Sequence, residues 1–336
     1  MQKNQITSRY GQHVYLLNKI RAILVVFFSV SAIVTGIFVI LHVRNNVGNE
    51  RRELLQIWND GNYGLAYETS RNALLNNPVD YFLLTINGFS AYQMGISQII
   101  NQNTQHFINE CIFSLRKALI HKESAEDGRV YYVLGKAYSY KGGEYADLSV
   151  KYLEKARNLS YQAADIPEYL GLAYAAQAEK LAAEAEKLAD SYDSRLKQAA
   201  LGYYRSSVEA FSLAFNADKP PSDNLLLSIA RSYIAMEEYS TAYGYLQRCV
   251  DISPDSRSVV VSRFLLAEIY AANGDYSGAE SQYLSILSES GENAEVRFQL
   301  GEMYFLLGDT TRARAQWRLA YRQDPSHAKA RARLNI

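Results

Sequence analysis

The sequence predicts an all-α chain: one N-terminal transmembrane helix followed by a long stack of helical hairpins. Two observations predict it. The run from Ala22 to Val43 contains no Asp, Glu, Lys or Arg. After it, a short apolar–small–aromatic pattern returns, mostly at intervals of 34 to 37 residues. A third observation bounds the function. Lys+Arg and Asp+Glu are both 35 in 336 residues, so the formal net charge is zero. That balance excludes a strongly basic nucleic-acid binder and an acidic disordered chain.

The apolar run comes first. As a helix rising about 1.5 Å per residue it reaches roughly 33 Å, enough for a hydrocarbon core of about 30 Å. The alternatives are a buried core helix and the apolar part of a cleaved signal peptide. The latter is usually about 7–15 residues long and closes on a small-x-small site. Here the run ends in His42-Val43-Arg44-Asn45-Asn46, without such a site. Residues 1–21 are a basic tail and 22–43 an uncleaved anchor. Lys3, Arg9, Lys19 and Arg21 precede the run, and Arg44, Arg51 and Arg52 follow it. Four positive charges against three favour a cytoplasmic N-terminus under the positive-inside rule. In a bacterium that places the rest of the chain on the periplasmic side of the inner membrane. The opposite orientation, with the hairpins in the cytoplasm, is the alternative.

The recurring pattern reads Leu134-Gly135-Lys136-Ala137-Tyr138, Leu170-Gly171-Leu172-Ala173-Tyr174, Ile229-Ala230-Arg231-Ser232-Tyr233, Leu266-Ala267-Glu268-Ile269-Tyr270 and Leu300-Gly301-Glu302-Met303-Tyr304. A period near 34 with helical signals marks stacked helix–turn–helix units. Gly or Ala after the Leu/Ile lets two helices approach closely. Tyr, four residues beyond that Leu/Ile, shares its helix face and fills the groove. Gly308-Asp309 and Gly274-Asp275 read as turns in which Gly supplies a left-handed conformation and Asp caps the next helix. Pro78, Pro220, Pro221, Pro254 and Pro325 fall where second helices must stop, while Pro167 suits a first turn.

This resembles the tetratricopeptide repeat (TPR) family, an α-solenoid, over roughly Val47 to His327. Seven units begin near Val47, Tyr81, Gly128, Ala164, Asp223, Val260 and Ala294, and residues 328–336 read as a C-terminal cap. Two units depart from the pattern. The second carries a polar insertion around Asn101-Gln102-Asn103-Thr104-Gln105, read as an extended helix turn or loop. The fourth is about 20 residues too long. Ala178-Glu179-Lys180-Leu181-Ala182 and Ala185-Glu186-Lys187-Leu188-Ala189 place Leu181 and Leu188 one heptad apart, as in a coiled-coil seam. An extended hairpin over about 176–205 follows, with Leu196, Tyr203, Tyr204 and Phe211 on its return helix. It reads as a docking arm or as an insertion that packs only on itself.

No catalytic constellation is visible. The histidines are dispersed, and there is no phosphate-binding Gly loop or nucleophile elbow. Cys111 and Cys249 make neither a disulfide framework nor a closed zinc site. The chain is therefore expected to be non-enzymatic, with no cofactor or metal. The TPR resemblance implies a concave surface lined by first helices, with Arg129, Tyr132, Lys136, Arg231, Phe264, Glu268, Phe298 and Glu302 facing inward. A protein or peptide partner would lie in that groove. The Lys–Asn pattern of the chaperone-binding TPR subclass is missing: its places hold Arg51/Leu55, Tyr132/Lys136 and Phe298/Glu302. The expected role is a membrane-tethered scaffold for a membrane or envelope complex. The alternative is a ligand-handling accessory of a solute transporter.

Overall fold

In a computed structural model, residues 48–97, 103–187, 193–215 and 221–336 are described. The apolar run 22–43 and the basic tail before it lie outside the described residues. So does the sidedness read from their charges. Among the described residues, no helix is long and apolar enough to cross a membrane.

Helices come in consecutive antiparallel pairs: α1 (48–59) with α2 (Tyr63–Asn76), α3 (Tyr81–Ser97) with α4 (Thr104–Ala118), and α5 (Gly128–Lys141) with α6 (Ala146–Asn158). Then follow α7 (Ile166–Lys187) with α8 (Asp193–Ala214), α9 (Asp223–Ala235) with α10 (Tyr239–Ile252), α11 (Ser256–Ala272) with α12 (Tyr276–Ser290), and α13 (Ala294–Leu306) with α14 (Thr310–Gln323). A short α15 (Ala328–Leu334) closes the array. From α4 on, each second helix packs on its own first helix, α2 and α1 share the cluster of Leu54 and Ala66, and each second helix also packs on the next first helix. Successive first helices α3, α5, α7, α9 and α11 also touch one another, which lines one side of the solenoid with first helices.

The small residues make the tight pairing possible. A Cβ added at Gly135 would lie 2.5 Å from Leu153, at Gly171 2.4 Å from Phe211, and at Gly301 2.5 Å from Trp317. Gly88 meets Leu115 in the same way at 2.5 Å. The residues thrust against these glycines are themselves buried: Leu115, Leu153 and Phe211 are fully covered and Trp317 nearly so. Turn chemistry fixes the entry to α2, α12 and α14. Gly61, Gly274 and Gly308 have φ of 77°, 77° and 79°. The residues that follow, Asn62, Asp275 and Asp309, accept the N–H of Leu65, Gly278 and Arg312. In the fifth unit Glu237 occupies the left-handed position, with φ 61°, and Glu238 makes no side-chain cap. That turn gives up both the conformational ease of glycine and the cap.

Of the polar insertion, Asn101 and Gln102 lie outside the described residues, while Thr104 and Gln105 open α4, and the Gln105 amide donates to the Tyr140 carbonyl at 3.2 Å. In the long hairpin, α7 and α8 have 22 residues each, against 13 to 17 in α2–α6 and α9–α14. Its seam is made not by Leu181, which is only half-buried, but by the small residues Gly171, Ala178 and Ala185. Leu188 lies outside the described residues. Spacing by seven selects the same face for both sets, but the helices approach so closely that alanine fits where leucine does not. Opposite this line stand Ala200, Tyr204, Ser207 and Phe211, all buried, while Leu196 and Tyr203 are only partly covered. The arm also leans on its neighbour: Lys180 Nζ donates to the Glu144 carbonyl at 2.9 Å and lies 3.8 Å from Asp147.

Candidate functional site: the inner face of the third to fifth units

The inner face is built by helical spacing. On α5, Tyr132, Lys136 and Tyr140 recur every four residues, so they share one stripe. The corresponding stripes carry Asp165, Glu168 and Leu172 at α7, and Asn224, Ser228 and Arg231 on α9. Where the three helices lie side by side, a recess of about 620 Å³ opens. It is lined by Ser139 and Tyr140, by Asp165, Glu168, Tyr169 and Leu172, and by Asn224 and Ser228.

Beneath the recess sits a charged lock. Lys136 is 8% exposed, and its Nζ donates to Asp165 Oδ2 at 2.7 Å and to Tyr132 Oη at 2.9 Å. Tyr132 in turn donates to the same carboxylate at 2.7 Å. The ammonium stands 4.2 Å from the Tyr169 ring centre, 4.8 Å from Tyr132 and 5.7 Å from Tyr92. A buried ammonium is tolerated only with such compensation, here one carboxylate, one phenol and three ring faces. Burial, then the Asp165 carboxylate, push the Tyr132 phenol far above the usual tyrosine range. The lock joins α3, α5 and α7 and sets the shape of the recess floor.

The residues expected to face inward divide into distinct environments. Lys136 and Tyr132 are committed to the lock beneath the recess. Arg129 is held by two hydrogen bonds to Asp127, the cap of its own helix, at 2.7 and 2.9 Å. Phe298 is 5% exposed and covered by the His327 ring at 5.1 Å; the C-terminal cap folds over it and removes it from the surface. Glu302 is bound in bidentate fashion by Arg333 of α15. Phe264 packs edge-on to Tyr283 at 5.8 Å, half-buried. Glu268 is exposed; surrounding protein, and then the Glu295 carboxylate, raise its carboxyl above the ordinary glutamate range. Arg231 is exposed on α9.

Tyr140, Glu168, Tyr169, Asn224 and Ser228 were not singled out from the sequence. Helical spacing was the available signal: Tyr140 is one turn beyond Lys136, and Asp165 and Asn224 hold the place in their units that Arg129 holds in the third. The exposed groups offer carboxylate and hydroxyl acceptors, an amide, and phenol rings beside Leu172. Such a lining suits a peptide segment that presents hydrogen-bond donors and one positive side chain. Among the described residues, no group of three or more His, Cys, Asp and Glu stands together to hold a metal. Both cysteines are buried, and burial raises their thiols, which disfavours the nucleophilic thiolate.

Comparisons with known proteins agree with this architecture. Residues 225–256 match the tetratricopeptide repeat family model. No curated protein sequence matches the chain. Among solved structures, the C-terminal part of a TPR repeat-containing protein from Cytophaga hutchinsonii is similar, with TM-score 0.52 and 12% identity over 85% of this chain and all of that one. PilW, described as a widely conserved type IV pilus biogenesis factor, is similar with TM-score 0.52 and 14% identity, over 74% of this chain and 98% of its own. Residues 225–256 thus resemble a tetratricopeptide repeat, and the described residues form a helical solenoid similar in fold to these proteins.

Proposed function

We propose that this protein is a non-catalytic scaffold, tethered to a bilayer through residues 22–43, that holds a segment of another protein in the recess of the third to fifth units. The observation that carries the reading is the recess itself: three successive first helices place Glu168, Asn224 and Ser228 beside Tyr140 and Leu172 there, over the Lys136–Asp165 pair. TPR proteins mediate protein–protein interactions, which supports a protein as the occupant. The array follows the apolar run almost directly, so a partner bound there would be held near the membrane. That geometry fits assembly or stabilisation of a membrane or envelope complex, on the periplasmic side of a bacterial inner membrane. The description of PilW as a biogenesis factor is in keeping with such a role.

The test is affinity capture of the full chain from detergent extracts, with partners identified by mass spectrometry. A stoichiometric protein partner that is lost from a Glu168→Arg variant, whose melting curve is unchanged, is the expected result. A co-purifying small molecule, without any protein partner, would favour the transporter-accessory reading instead.

A further inference from the structure

The far end of the array has a character that the chain as a whole lacks. Residues 310–336 contain seven Lys or Arg and one acid, although the full sequence is neutral. The carboxylates nearest this end are already matched: Glu302 by Arg333, and Asp309 and Glu280 by Arg312. Arg314 and Arg318 are exposed, one helical turn apart on α14, and among the described residues no carboxylate is paired to them. They open onto a recess of about 520 Å³ between α13, α14 and α15, together with Phe305, Thr311, Trp317 and Arg333.

The third guanidinium is preorganised. Arg333 stands 5.1 Å from the Phe305 ring centre and 5.5 Å from that of Trp317, a stacked place. Its Nε and Nη2 grip Glu302 at 2.9 and 2.5 Å, which leaves the two Nη1 hydrogens unspent. Three guanidinium groups, a threonine hydroxyl and the exposed ring of Phe305 form a set that recognises carboxylates attached to an apolar neighbour. Leu306 and Leu307, 69% and 49% exposed at the adjoining turn, extend the apolar side.

We propose that this C-terminal recess is a second docking site, separate from the inner face, for an acidic peptide segment of a partner protein, with a carboxylate between Arg314 and Arg318 and an apolar side chain against Phe305. Concavity selects a peptide over a lipid surface: a side chain enters a recess of this size, whereas a bilayer meets only protruding groups. The proposal does not depend on the inner-face reading.

The test uses the purified full chain in detergent and fluorescence anisotropy with a labelled Glu-Glu-Leu-Glu-Glu peptide; Gln-Gln-Leu-Gln-Gln serves as control. The acidic peptide should bind, weaken steeply with added salt, and lose roughly tenfold or more in affinity in Arg314→Glu/Arg318→Glu. Arg231→Glu, on the inner face, should leave this binding unchanged. If the double reversal alters the melting curve, Arg314→Gln/Arg318→Gln replaces it with the same expected loss. Equal binding by wild type and both double variants would overturn the site, as would no preference for the acidic peptide. Flotation with phosphatidylglycerol vesicles, lost in the double variant while the peptide fails to bind, would overturn it in favour of a membrane surface.

Discussion

The Lys136 ammonium and the Asp165 carboxylate meet at 2.7 Å across two repeat units, 29 positions apart in the chain. The lysine is buried and the aspartate side chain is 38% exposed, so the pair sits at the boundary between core and groove. It ties the third unit to the fourth at the place where the recess opens.

Breaking that pair should cost stability. Lys136→Met keeps the apolar stem but removes the donor to the Tyr132 oxygen and the cation beside Asp165, which then keeps only the Tyr132 hydroxyl as a side-chain donor. A loss of about 2 kcal/mol is expected, moderated by the water that reaches Asp165. A double-mutant cycle with Asp165→Asn should show a coupling on the order of 1 kcal/mol. Independent, additive effects in chemical denaturation would mean that the contact contributes nothing specific.

Glycines on helices should split by environment. At Gly301 a Cβ would meet Trp317 at 2.5 Å and the Ala313 carbonyl at 3.1 Å, so even alanine forces the pair apart. Gly301→Leu should destabilise by about 1–3 kcal/mol. Gly244 lies inside α10 with nothing within 4 Å of its would-be Cβ. Gly244→Ala should stabilise by roughly 0.5–1 kcal/mol through helix propensity alone. Thermal melts of the two variants moving in the same direction would show that helix proximity does not govern these sites.

Much of this packing was legible in the sequence because close helix contact leaves a compositional mark. Gly135, Gly171 and Gly301 each follow a buried leucine and precede a buried tyrosine by three residues. The long hairpin was legible in length but not in register, since alanine and leucine lines both repeat by seven and only the interhelix distance decides between them. The lock at Lys136 was hidden for a different reason. Its partners come from three helices in three units, and no spacing within one helix encodes that convergence. Phe298 and Glu302 escaped in the same way, through the folding back of the cap: His327 and Arg333 cover them from outside the repeat pattern.

Alkaline pH should loosen the fold before any backbone chemistry intervenes. The phenols of Tyr174 and Tyr204 are both pushed up to about 12, first by burial and then by the carboxylates of Glu154 and Glu179 respectively. An unfolded tyrosine ionises near 10. A phenol raised in the folded state therefore contributes fully below pH 10, and its contribution is lost as pH rises from about 10 through about 12. The melting temperature should fall across that window, with tyrosinate absorbance rising together with the loss of helix. Tyrosinate forming near pH 10 with the helical signal intact would contradict the burial of these side chains.

The most direct measurement is site-specific photo-crosslinking of the full chain in its native membranes. A benzophenone amino acid replaces Tyr140, in the inner recess, or Leu213, 69% exposed on α8. The scaffold reading predicts a discrete protein adduct from position 140 and none from position 213. An adduct from 213 with none from 140 would contradict it, because the partner would then be held by the outside of the solenoid.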